Sequence, residues 1–238
     1  MASLASNQNP VSVRVIAGGG ISNVLQELGP QFERASGHTL TITYDGTPAI
    51  VRRFNAGEAF DLVVIPQQAY FNPAAPARLA PAPTVDIARV GVGLGVREGA
   101  AIPDISTAEA LKATLTNAKS ITMVPESANG AHILAVFERL GIGEAMKAKM
   151  LVQTDPLALG PALARGDAEI GLYVTNLLLA PGIVLVGEFP AELNTTLTFT
   201  AGLSADAAQP EAAKAFIAHL TTPAAAALIK AKGMEPLI

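Results

Sequence analysis

The chain has 238 residues and a formal net charge of −4; half of its residues are hydrophobic and only 15% are charged. That balance supports a sizeable core and excludes a disordered chain, and the acidic charge, with no run of Lys or Arg, excludes the basic surface of a general nucleic-acid binder. Cysteine is absent, which excludes disulfides, thiol chemistry and cysteine-ligated metal.

The N-terminal "MASLASNQNP" has neither the basic region nor the apolar core of a signal peptide. The expectation is a periplasmic chain whose leader has been removed, or a cytoplasmic one. No apolar stretch reaches the roughly 20 residues that span a bilayer, so no membrane insertion is expected. Residues 11–17 alternate and are rich in β-branched side chains, predicting a strand. From Ile21 the apolar residues Val24, Leu25, Leu28 and Phe32 fall at helical spacing, with Ser22 or Gly20 as N-cap and Gly37 as stop. Residues 40–44 read as a second strand, "DGTPA" as a turn, 49–55 as a short helix and 62–65 as a third, buried strand. The order β-α-β-α-β predicts a parallel sheet with helices on its faces.

A Pro- and Ala-rich connection follows over 72–83, and then "IARVGVGLGV" at 87–96, a strand whose three glycines predict a close crossing past other backbone. "DISTAEALKATL" opens a second unit with a capping box, Ser106 as N-cap and Glu109 three residues on. "SITMV", "MLVQT" and "EIGLYVT" read as its strands, "HILAVFERLGI" and "DPLALGPALARG" as its helices, and "PESANGA" as a loop. "NTTLTFTAGL" is another strand, and 210–232 one long Ala-rich helix. The strands at 87–96 and 195–202 are the natural crossings between two lobes, divided as 1–88 plus 200–238 and 89–199.

An isolated "GGG" after a strand is a tight turn. Here Gly18, Gly19 and Gly20 stand where ligands bind in open α/β sheets, beyond the carboxyl end of a strand and at a helix N-terminus, where free amides favour an anion. "DGTPAIVRR", "PESANGAH" and "YVTN" repeat the arrangement. Four such strand ends, two from each unit, predict an inter-lobe cleft.

With "AGGGISNVLQELGPQFERASG", "GTPAIVRRFNAGEAFDLVVI", "VGVGLGVREGAAIPDISTAEALKATLTNAKSI", "VFERLGI", "EIGLYVTN" and "AAKAFIAHLTTPAAAALIKAKGMEP", the chain resembles the molybdate-binding-type periplasmic solute-binding proteins over almost its whole length. The resemblance implies the type II binding-protein fold: two α/β sandwich lobes joined by crossover strands, closing on a ligand between them. Molybdate binders of this kind have a Ser where this chain has Gly20 and a Gly-Ser-Ser-Gly loop where it has "DGTP". Their Tyr ligand aligns with Val174, one residue past Tyr173. The changes imply a roomier anion site, and a small polycarboxylate fits it. The same superfamily has an aconitate-isomerase branch, whose reaction moves a proton across an allylic system. The expected function is therefore an isomerase for a small polycarboxylate, acting on trans-aconitate to give cis-aconitate. The alternative is a non-catalytic receptor passing a molybdate-like oxyanion or an organic anion to an ABC permease. Neither reading calls for a cofactor, and a monomer is expected.

For the ligand, the candidates are the backbone at Gly19, Gly20 and Ile21, the hydroxyls of Ser22, Thr47, Ser127 and Thr175, Asn129 and Gly130 in the second unit, and an Arg clamp at Arg52. His132, at the opening of a helix, is the candidate proton carrier, imidazole being the side chain suited by type to exchanging a proton; Tyr173, at a strand end, is the second. Asp45 reads as a turn former, Asp61 as a structural cap or bridge, and His38 and His219 as surface residues. Three scattered histidines leave no recognisable metal site.

Overall fold

A computed structural model describes residues 9–70, 79 and 84–238. The expected connection at 72–83 lies outside the described residues apart from Leu79. In chain order the elements are β1 (Ser12–Gly18), a 3-10 turn (Gly19–Ile21), α1 (Ser22–Ser36), β2 (Thr39–Asp45), α2 (Thr47–Asn55), β3 (Leu62–Pro66), α3 (Gln67–Tyr70) and β4 (Val85–Arg97). Then come α4 (Ala108–Asn117), β5 (Ile121–Met123), α5 (Ala128–Arg139), α6 (Gly143–Lys147), β6 (Met150–Val152), α7 (Leu159–Arg165), β7 (Ile170–Val174) and α8 (Thr175–Leu178). The chain closes with β8 (Ile183–Glu188), β9 (Thr196–Leu203), α9 (Pro210–Leu220), α10 (Pro223–Ala231) and β10 (Glu235–Pro236).

The strands form one path in the order β2-β1-β3-β9-β4-β7-β5-β6, with β8 and β10 also on β4. β2, β1 and β3 run parallel, as do β6, β5 and β7, and β4 and β9 are the antiparallel insertions between the two sets. β4 serves both lobes. Its residues Val85–Gly91 pair with β9, whereas Val92–Val96 pair with β7 and Gly93–Arg97 with β8. The pairing changes hands between Gly91 and Val92. β9 lies wholly on β3 and the first half of β4, so the return crossing is the segment before Thr196 and not the strand itself. The glycines of β4 meet close neighbours as expected: a Cβ on Gly93 would strike the carbonyl of Gly187, and one on Gly91 the Glu188 carboxylate.

Strand alternation sorts the core of the first lobe onto two faces. Val13, Val15, Ala17, Leu62 and Val64 pack against α1, α9 and α10, while Ile16, Val63 and Ile65 pack against Ile50 and Phe54 of α2 and Ala69 of α3. In the second lobe Val92, Leu94, Ile121 and Leu172 pack against α4 and α5. Its other face, through Leu159, Leu163, Tyr173 and Val174, joins the main core of the first lobe.

Four local expectations are corrected. The long C-terminal helix is two helices with a 62° bend; Pro223 cannot continue a helix, and Thr222 caps the second by accepting from the Ala225 amide at 3.2 Å. The cap of α4 is Thr107, not Ser106, with its hydroxyl 3.1 Å from the Ala110 amide. His38 is buried beside Phe32 and accepts from the Val11 amide at 3.4 Å, and His219 packs half-buried on the same ring. Phe32 offers each imidazole an apolar wall that a polar surface would not. Asp61 does bridge structurally, with no side-chain exposure. No single helix among the described residues is long and apolar enough to cross a membrane.

Candidate functional site

The carboxyl ends of the parallel strands converge between the lobes. Gly18 ends β1, with Gly19 and Gly20 after it; Asp45 ends β2, with Gly46 and Thr47 after it; Pro66 ends β3. Ser127, Ala128 and Asn129 come from the N-cap and first turn of α5, Tyr173 from β7, and Leu197 and Phe199 from β9. Together they enclose a cavity of about 10 Å³, room for about one water. The cleft is closed. A Cβ on Gly19 would overlap Pro156 of the opposite lobe, and one on Gly46 would overlap the Glu126 carbonyl.

Local sequence explains each wall. After β1 the glycines wind through a 3-10 turn into α1, leaving the first amides of the helix without intrahelical acceptors. Pro48 in the first turn of α2 pre-sets the backbone that holds Thr47. The start of α5 is set by Ser127, which accepts from the Gly130 amide at 3.0 Å; helix therefore begins in the "PESANGA" stretch expected as loop. Ser127 Oγ reaches the Val124 carbonyl at 2.7 Å and Asn129 Oδ1 at 3.0 Å. Its one hydroxyl proton is thus taken inside the protein. Asn129 Nδ2, by contrast, is buried with no partner, a donor pair on the cavity wall awaiting an acceptor.

Tyr173 is almost wholly buried on that wall. Burial, and then the charge of Asp155, push its hydroxyl well above the usual tyrosine range. At neutral pH the hydroxyl is therefore in its protonated form, which is able to donate a hydrogen bond. Asp45 also lines the cavity, so it does more than shape a turn; it accepts from Arg53 Nε at 2.8 Å.

Other expected residues stand elsewhere. Arg52 is exposed and does not line the cavity; its guanidinium faces Glu126 of the other lobe across the mouth at 3.7 Å. Gly130 gives its amide to Ser127 and is glycine because the Val124 and Pro125 carbonyls occupy the space of a Cβ. Ile21 is in the main core, Ser22 is buried beneath the turn with an unpartnered Oγ, and Thr175 packs its methyl toward Gly93. None of these five lines the cavity. Nor does His132, which lines an adjoining groove of about 240 Å³ with Gln68 and Thr195; Thr47, Ala128 and Leu197 belong to both spaces. His132 Nε2 lies 2.8 Å from the Leu193 carbonyl.

Gly20 does not enlarge the site either. Its missing side chain is replaced by Phe199, whose Cζ lies 2.8 Å from where a Cβ would be. "LTFTAG" reads as ordinary strand core, so nothing in the sequence marked Phe199. Asn176 was equally missed, although it ends the quoted "YVTN". Its Nδ2 donates to the Gly20 carbonyl and to Asn23 Oδ1, both at 2.9 Å, while Asn23 Nδ2 donates to the Asn176 carbonyl at 3.2 Å. That reciprocal pair ties the glycine turn to the second lobe.

Gly46→Ala is expected to hold the lobes apart, because the Glu126 backbone cannot move aside without opening the cleft. Small-angle scattering should show a larger radius of gyration, and affinity for a cleft ligand should fall about tenfold or more. Unchanged scattering and affinity would refute the closure geometry.

Comparison with known proteins places this architecture. The chain is 29% identical to aconitate isomerase from a Pseudomonas species, over 98% of this chain and 91% of that one. Among solved structures it is similar to the periplasmic molybdate-binding protein of Azotobacter vinelandii, with a TM-score of 0.77 at 18% identity over 93% of this chain and 98% of that one. It is also similar to the sulfate-binding protein SubI of Mycobacterium tuberculosis, with a TM-score of 0.73 at 16% identity over 95% and 87% of the two chains. These likenesses establish the binding-protein fold. Residues 13–235 match the bacterial extracellular solute-binding proteins, and the chain belongs to that family.

Proposed function

We propose that the chain binds a small polycarboxylate between its lobes and moves a proton across the allylic system, interconverting trans- and cis-aconitate. The observation that carries this reading is the relationship to aconitate isomerase along nearly the whole of both chains. The chemistry of the site is compatible with it. A base takes a proton from the CH2 carbon; the C–H electron pair spreads over the allyl unit and into carboxylate oxygens; a proton returns at the other end. Nothing is oxidised or reduced, so donors for the carboxylates and one acid–base group suffice.

The donors are the first amides of the glycine turn, the Thr47 hydroxyl, Asn129 Nδ2 and the Tyr173 hydroxyl. Fixed donors aimed at developing charge need no reorganisation as the reaction proceeds. His132 is the acid–base group. The Leu193 carbonyl can only accept, so Nε2 carries hydrogen and Nδ1 of the neutral ring holds the lone pair. Nδ1 takes the proton, exchanges it with solvent and delivers one at the other end of the allyl unit, while Nε2–H keeps the ring in place. With its family, the chain would work outside the cytoplasmic membrane, as a monomer.

One observation favours the second reading, a receptor delivering an oxyanion to a permease: the closed cavity is tight. The test is incubation with trans-aconitate in D2O, followed by proton NMR. The expected result is cis-aconitate carrying deuterium at the reprotonated carbon. Absence of turnover, with a melting temperature raised by molybdate instead, would return the chain to the receptors.

A further inference from the structure

We propose that the groove beside the cavity is a second subsite for the same ligand, and that Gln68 and Thr195 on its wall select anions longer than a tetrahedral oxyanion. The inference rests on the polycarboxylate reading above. With Phe199 filling the space Gly20 leaves, the closed cavity has about 10 Å³ and cannot hold three carboxylates. The room is next door, in the groove of about 240 Å³ that opens off it past Thr47, Ala128 and Leu197.

The groove wall suits a carboxylate. Among the described residues its polar groups beyond Thr47 are Gln68, His132 and Thr195, and none of those lining it is an Asp or Glu that would repel an anion. Gln68 offers an amide and Thr195 a hydroxyl, both able to donate to a carboxylate oxygen. A ligand spanning the two spaces has one carboxylate at the glycine turn and Asn129, its carbon skeleton past Thr47, and a far carboxylate at Gln68 and Thr195. That pose sets the skeleton beside His132 and accounts for an imidazole in the groove and none in the cavity. Sulfate or molybdate, a single tetrahedron, is too short to bridge from the glycine turn to Gln68 and Thr195.

The experiment is calorimetric titration of wild type, Gln68→Trp and Thr195→Val with trans-aconitate and with sulfate. Gln68 is exposed, so the Trp variant fills the groove without burdening the core. Thr195→Val keeps the volume and removes the hydroxyl. Gln68→Trp is expected to weaken trans-aconitate about tenfold or more and Thr195→Val about threefold to tenfold, with sulfate changed less than about twofold in both. Unchanged trans-aconitate affinity in Gln68→Trp overturns the groove assignment and leaves the polycarboxylate reading standing. Equal losses for both anions mark disturbed closure and also overturn it. Wild type that binds sulfate or molybdate but no trans-aconitate overturns both readings together.

Discussion

Asp61→Ala is expected to cost about 3–5 kcal/mol of folding stability, a large part of the 5–15 kcal/mol that holds a domain of ordinary stability. Asp61 Oδ2 accepts from the Arg14 amide at 2.9 Å and Arg14 Nε at 3.2 Å, and Oδ1 accepts from the Ala208 and Gln209 amides at 2.8 and 3.1 Å. One carboxylate thus joins β1, the start of β3 and the entry to α9. Alanine would strand those amides away from water. Asparagine would not repair the loss, because whichever way its amide turns, one end presents NH2 to another donor. Urea unfolding near neutral pH, followed by circular dichroism, measures the effect. A loss below about 1 kcal/mol would contradict this account.

The same contacts set a pH dependence. Burial alone would raise the Asp61 carboxyl, but the Arg14 guanidinium and the Arg14 and Gln209 amides outweigh it and hold it below the ordinary value of 3.8. A carboxyl depressed in the folded state contributes its full stability above its unfolded value and loses it as pH falls through the folded one. Acid should therefore narrow the gap between wild type and Asp61→Ala at and below the ordinary aspartate value. A gap that stayed constant into that range would mean the charge is not what matters.

His132→Gln is expected to lower turnover of trans-aconitate by about 10²- to 10⁴-fold, the usual contribution of a positioned acid–base group. The glutamine Nε2 can still donate to the Leu193 carbonyl, so the groove wall and the melting temperature should change little. A fall in kcat with KM nearly unchanged is what loss of proton transfer predicts. Retained turnover would move the proton step to another group, with Asp45 on the cavity wall the next to test.

Sequence patterns were sufficient wherever the deciding physics is local. Val24, Leu25, Leu28 and Phe32 announce the buried face of α1, and Gly37, at φ 77°, ends it through the left-handed turn that its position predicts. The order of strands and helices predicts two parallel units. Errors of boundary came from competing caps: Thr107 and Ser106 are both plausible, and only the hydrogen bond to the Ala110 amide separates them. Pro223 was visible and should have broken the last helix.

The site was legible as a place and not as a set of contacts. The loops carrying Gly19, Thr47, Asn129 and Tyr173 were expected to meet because strand ends in parallel sheets point the same way, and they do. What each side chain faces was another matter. Whether Ser127 is a free donor depends on the Val124 carbonyl, whether Arg52 enters the cleft depends on where α2 sits, and whether Gly20 makes room depends on Phe199, far away in the chain.

The sequence by itself therefore determined most of the longer elements, the two-lobed order and the loops that form the cleft, though not β8 or the short helices α3, α6 and α8, since periodicity, capping and turn chemistry act between residues close in the chain. Only the tertiary structure decided the size of the cavity, the donors left free in it and the position of His132 in a groove beside it. Those depend on how tightly distant side chains fill space against one another, and close packing leaves no trace in any short stretch of sequence.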